Sequence, residues 1–163
     1  MFINAGSNTY RDIVTNYCRL IERDGEPPDK TLLAIRAALI ELYMASLSLP
    51  AFPDPTHDDL PDRISHEEWA SVRKKICAFT REDYFWICDD PFRLTPKPLR
   101  ASLSDGLADI WRDLKRGLLA LDEDEQRYSV AVHWEWKFSF ETHWGDHAVE
   151  SIWGIHEILK ITN

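Results

Sequence analysis

The sequence is poor in the residues that build cofactor cradles and covalent frameworks. Six glycines in 163 residues are few for such cradles, and neither a glycine-rich phosphate loop nor a Gly-x-Ser-x-Gly turn occurs. No cofactor is therefore expected. The three cysteines, Cys18, Cys77 and Cys88, cannot all pair with one another, and none stands in the Cys-x-x-Cys spacing of zinc or redox motifs, so free, buried thiols in a reducing compartment are expected. Long apolar runs are missing too. Leu32 to Leu49 is the most apolar stretch, and Arg36 and Glu41 interrupt it. With no basic leader ahead of an apolar run, the sequence predicts a cytoplasmic protein of bacterial type, neither exported nor membrane-spanning. Positive charge is scarce: 19 Lys and Arg face 28 Asp and Glu, a formal charge of -9. That balance repels nucleic-acid phosphates and anionic bilayers and favours a basic protein partner.

What the chain does have is bulk. Hydrophobic residues make up 44% of it and aromatic ones 12%, including seven Trp, enough to offset the entropy of ordering one domain over residues 1–163. All nine prolines fall in Pro27-Pro28, Pro50 through Pro61 and Pro91 through Pro98, which marks those stretches as connections. Between them apolar residues recur at helical spacing. Tyr10, Ile13, Tyr17 and Leu20 mark a first helix, with Ser7 or Asn8 to cap it and Gly25 to end it. Leu33, Ala37, Ile40, Met44 and Leu47 mark a second, widened by Leu32, Leu39 and Tyr43 and so expected at the centre. Ser65 and Glu68 form a capping box ahead of Trp69, Val72, Ile76 and Phe79. Leu103, Leu107, Ile110, Trp111, Leu114, Leu118 and Leu121 make the longest stripe, with Ser102 or Ser104 as cap, and the acidic run 122–125 follows as a connection.

Val130 to Trp144 alternates like a strand, but no other stretch alternates to pair with it, and an unpaired strand leaves its backbone groups unsatisfied. A buried helix is the better reading. Val149, Ile152, Trp153, His156 and Leu159 close the chain as a last helix, after a break or kink near Gly145. The expected fold is thus an all-α, single-domain bundle of about six helices, its interior formed by the second, the fourth and the 130–144 helices.

Two groups of residues could carry chemistry. His143 and His147 share one helix face if the helix runs through Gly145, and they join Glu135, Glu141, Asp105 and Asp109 in a candidate polar cluster of the kind from which bundles build metal sites. The competing structural reading has Asp105 as a cap, Asp109 paired with Arg112 or Arg116, and the histidines bonded to backbone or Trp. Neither the Glu-x-x-His pairs of di-iron bundles nor a His-Glu-x-x-His run is present. The second group is the aromatic belt of Trp134, Trp136, Phe138, Phe140 and Trp144 with Tyr84-Phe85-Trp86. Lys137 is its only basic residue, which favours core packing over base stacking.

The blocks from Ser102 to Lys115 and from Trp134 to His147, together with Glu41-Leu42-Tyr43 ahead of Leu49-Pro50 and Tyr84 ahead of Asp90-Pro91, resemble the bacterial family called domain of unknown function 5063. The resemblance implies a stand-alone helical protein with no established activity. The chain departs from the family's pattern at Gly106, where a second Asp is usual, and at Trp111, where Tyr is common. The leading functional expectation is a non-enzymatic acidic module, of immunity or adaptor type, that binds a basic protein through Asp58, Asp59, Asp122, Glu123 and Asp124. The alternative is a metal-binding bundle or metal-dependent enzyme built on the histidine cluster.

Overall fold

A computed structural model describes residues 9–23, 28–51, 53, 60–80, 83–88, 90 and 92–161. Helices α1 (Tyr10–Glu22), α2 (Pro28–Leu47) and α3 (His66–Phe79) precede a two-stranded hairpin, β1 (Tyr84–Cys88) and β2 (Pro98–Ser102). Then come α4 (Leu103–Ser139), a π-helical turn (Phe140–Trp144) and α5 (Gly145–Ile161). The fold is mostly helical. It corrects the expected six separate helices, because α4, the π turn and α5 follow one another without a gap.

Local chemistry explains the starts. Thr9, not Ser7 or Asn8, caps α1: its side chain accepts the Asp12 N–H while the Asp12 carboxylate accepts the Thr9 N–H. Ser65 and Glu68 form the anticipated box on α3. Ser102 caps α4 by accepting the Asp105 N–H. Gly25 lies outside the described residues.

The antiparallel hairpin, pairing Tyr84 with Ser102 through Cys88 with Pro98, overturns the all-α expectation. Its alternation in Tyr84-Phe85-Trp86-Ile87-Cys88 spans only five residues, and its partner begins at a proline, tolerated because the first residue of an edge strand need not donate. Asp83 locks it to α4, accepting the Ser102 hydroxyl at 2.9 Å and the Ser104 N–H at 2.7 Å.

Inside α4, Asp124 leaves helical geometry at φ -155°, ψ 89°, and its carboxylate accepts the Arg127 N–H, so it caps a second helical arm. The arms 103–123 and 125–139 fold back on each other. Trp136 Nε1–H donates to the Leu114 carbonyl at 3.2 Å, and a Cβ on Gly117 would overlap the Trp136 indole. The expected acidic loop is therefore a one-residue corner. The first arm is the centre of the molecule: α1, α3 and α5 all pack on α4, and Leu103, Leu107, Ile110 and Leu114 are fully buried.

The second arm is helical, as its unpaired alternation required, and the helix splits that alternation between two faces. Val132, Trp136, Phe140 and Trp144 point inward, while Val130 and Phe138 are exposed and Phe138 stacks on Trp134 at 4.9 Å. Helix α2 corrects the expected interior. It buries Leu32, Ile35, Leu39 and Leu42 on one face only, and the stripe of Leu33, Ala37, Ile40, Met44 and Leu47 faces outward. Of the cysteines, Cys18 is buried as expected, whereas Cys77 and Cys88 are exposed; all three are free thiols. Among the described residues no helix is long and apolar enough to cross a membrane.

Candidate metal centre

The first arm of α4 and the start of α5 approach each other closely because Gly106 carries no side chain. A Cβ there would lie 3.2 Å from the Ser151 hydroxyl and 3.7 Å from the His147 Cβ. Across this contact, Asp109 of α4 meets His143 of the π turn and His147 of α5, and one ligand atom from each lies within 4.8 Å of the other two.

Where the sequence suggested a break or kink near Gly145, the helix is irregular but continuous: Gly145 closes a π turn. Its N–H bonds the Phe140 carbonyl five residues back, and a Cβ on it would overlap that oxygen. The wider turn places His143 beside His147, with ring centres 4.9 Å apart and planes nearly perpendicular.

Each imidazole has a carboxylate behind it. His143 Nδ1 lies 2.7 Å from Asp113 Oδ2. A carboxylate only accepts, so Nδ1 is the donor, an orientation that in the neutral ring leaves the Nε2 lone pair for a metal. His147 Nδ1 stands 3.9 Å from Glu150 Oε2, while its Nε2 faces Asp109 Oδ2, also at 3.9 Å. The His147 pKa is raised above its usual 6.5, chiefly by Glu150. Partial burial opposes the shift, and the negative charges of Asp109 and Asp113 add to it. Asp109 divides its oxygens: Oδ1 takes Arg112 at 2.9 Å, leaving Oδ2 for the histidines.

Tetrahedral nitrogen and oxygen ligands about 2.1 Å from zinc stand roughly 3.4 Å apart. The ligand atoms here all lie within 4.8 Å of one another, at most about 1.4 Å wider than that spacing. The three side chains range from one-fifth to two-fifths exposed, so an ion held here would keep open positions toward solvent. The set suits zinc or another divalent first-row metal and not calcium or magnesium, which prefer oxygen ligands only.

The structure separates the other candidates from this centre. Asp105 pairs with Arg73 of α3, Glu135 with Arg116 at 3.6 Å, and Glu141 with Lys137 at 3.0 Å. Asp109 does pair with Arg112, as the structural reading held, and also serves the cluster. Asp113 and Glu150 were missed, although Asp109 and Asp113 repeat the four-residue spacing of His143 and His147. Of the proposed partner contacts, Asp122 binds Arg11 at 2.7 Å, Glu123 binds Arg63, and Asp124 is the corner cap. Asp58 and Asp59 lie outside the described residues.

Comparisons with known proteins add a fold and a family without an activity. The crystal structure of protein BF1032 from Bacteroides fragilis, a structural genomics target, matches with a TM-score of 0.77 at 16% identity, covering 92% of each chain. At that identity the likeness shows the fold alone. No curated protein matches the sequence. The family model described as a domain of unknown function, DUF5063, matches residues 8–160. Because it spans nearly the whole chain, the protein belongs to the DUF5063 family.

Proposed function

We propose that this protein binds a divalent transition metal, zinc or a similar ion, through Asp109, His143 and His147, with Asp113 and Glu150 orienting the two imidazoles. One observation carries the reading. Two histidines, each with a carboxylate at its Nδ1 side, converge on a third carboxylate whose free oxygen faces them. Metal-bound histidines regularly donate their other ring N–H to a carboxylate, as His143 does to Asp113 at 2.7 Å, while Glu150 stands 3.9 Å from His147 Nδ1. Three ligands with open positions are the arrangement of catalytic sites, in which the ion polarises a substrate oxygen or activates water. This reading takes precedence over the basic-partner module because the chain's own Arg11, Arg63 and backbone engage Asp122, Glu123 and Asp124.

Thermal melting with and without added zinc, manganese or iron(II), paired with elemental analysis of chelator-free protein, tests it. At free metal of about 100 Kd, binding adds about 2.7 kcal/mol, which for a chain of this size raises Tm by roughly 5–10 °C. His143→Ala with His147→Ala abolishes the shift. An unchanged Tm with every metal, together with metal-free purified protein, overturns the proposal.

A further inference from the structure

A cavity of about 370 Å³ lies between the start of α3 and the first arm of α4, lined by Asp62, Ser65, His66, Arg112, Asp113 and Arg116 among others. That volume is at the lower end of the range that holds small ligands. Two of its wall residues are bonded directly to the candidate metal centre: Arg112 to Asp109 at 2.9 Å and Asp113 to His143 at 2.7 Å. The cavity and the histidine cluster are therefore two sides of one wall.

The charges in that wall are not equivalent. The Asp113 carboxylate faces His143. Arg116 is held by the Leu60 and Pro61 carbonyls and by Glu135, so it shapes the chamber more than it binds. Arg112 uses Nη2 on Asp109, and its guanidinium stands 5.7 Å above the Trp69 ring. The remaining N–H groups of its fork are suited to an oxyanion. Trp69 also stacks on His66, and its buried indole N–H has no acceptor among the described residues. Ser65 and His66 stand at the positive end of the α3 dipole. A divalent ion on the far side of the wall would make the chamber net positive.

We infer that this cavity is an anion-binding chamber linked to the metal centre through Arg112 and Asp113, and that it receives a small molecule bearing an oxyanion group, phosphate or carboxylate, on Arg112. The inference rests on the metal-binding reading and adds to it a ligand class and a receiving residue.

The cobalt(II)-loaded protein makes the two readings separable, because the visible bands of cobalt report its ligands and Arg112 is bonded to one of them, Asp109, so an anion taken up by Arg112 perturbs that ligand. Inorganic phosphate and acetate, titrated separately, identify which anion is preferred; at least one shifts the bands in a saturable way. Arg112→Gln still binds cobalt but needs about tenfold more anion for half the shift, since one charge-assisted contact is gone. Asp62→Asn moves the same midpoint the other way, about threefold lower, by removing a repelling charge from the wall. It also keeps the test valid should Arg112→Gln fail to fold. Cobalt bands indifferent to both anions, or unchanged midpoints in both variants, overturn the chamber and leave metal binding standing. Absence of any cobalt binding overturns the metal reading and the chamber together.

Discussion

His147 carries two opposed demands. Glu150, Asp109 and Asp113 stabilise its protonated form, while a metal requires the neutral ring. A histidine whose native pKa is raised stabilises the fold fully below the unfolded value, about 6.5, and loses that contribution as pH rises through the native value. Metal-free protein therefore loses stability relative to His147→Gln as pH climbs from about 6.5 through the raised native value, and metal affinity rises over the same interval as protons cease to compete. Parallel Tm-against-pH curves for the two proteins sink the assignment. At this scale the sequence was half legible. The i,i+4 histidines and Asp109 are visible, but spacing offers Asp105 as their companion, whereas the structure sets Asp113 against His143. Both lie four residues from Asp109 on one helix, and only the position of α5 decides between them. Arg73 removes Asp105 from the choice, and a salt bridge to another helix leaves no trace in local spacing.

Among the elements, the π turn sets the geometry of the centre. Gly145 is buried, with ordinary helical angles and the Phe140 carbonyl directly against it, so the position has space for hydrogen and none for a methyl group. Gly145→Ala forces the turn open and moves His143 relative to His147. The expected result is a metal affinity lowered tenfold or more, the size of loss typical when support for a metal ligand is disturbed. Helical circular dichroism is kept, and wild-type affinity in a folded Gly145→Ala protein contradicts the role. Read as sequence, this glycine suggests a break, because glycine ends helices more often than it tightens them. The hairpin was hidden for the opposite reason: five alternating residues make too short a pattern. The outward Leu33, Ala37, Ile40, Met44 and Leu47 show a third limit. Helix α2 is apolar on both faces, and periodicity cannot say which of two apolar faces is the inner one.

Across the whole molecule, the centre joins segments that are distant in sequence yet packed together: Asp109 from the core arm of α4, His143 from the π turn, and His147 from α5. An ion at their junction adds a link between α4 and α5 to the close packing at Gly106 and Ser151. The hairpin meets α5 through Phe85, against Gly154 and Trp153, well away from the histidines in sequence. Local opening of α5 should therefore become rarer when metal binds, while opening of the hairpin should not, because the ion adds no contact there. Hydrogen exchange resolves the two. With zinc, amides of 105–113 and 140–151 slow markedly, and those of 84–88 and 98–101 exchange as before. Uniform slowing over the whole chain would mean that metal acts by global stabilisation only, and no slowing at 140–151 would mean that the histidines do not hold it. Helix periodicity is clear over 105–113, while 130–144 alternates like a strand, and neither pattern shows which segments pair. Spacing can place Asp109 or His147 on a face of its own helix, but the meeting of those faces depends on the Asp124 corner and the Gly145 turn between them.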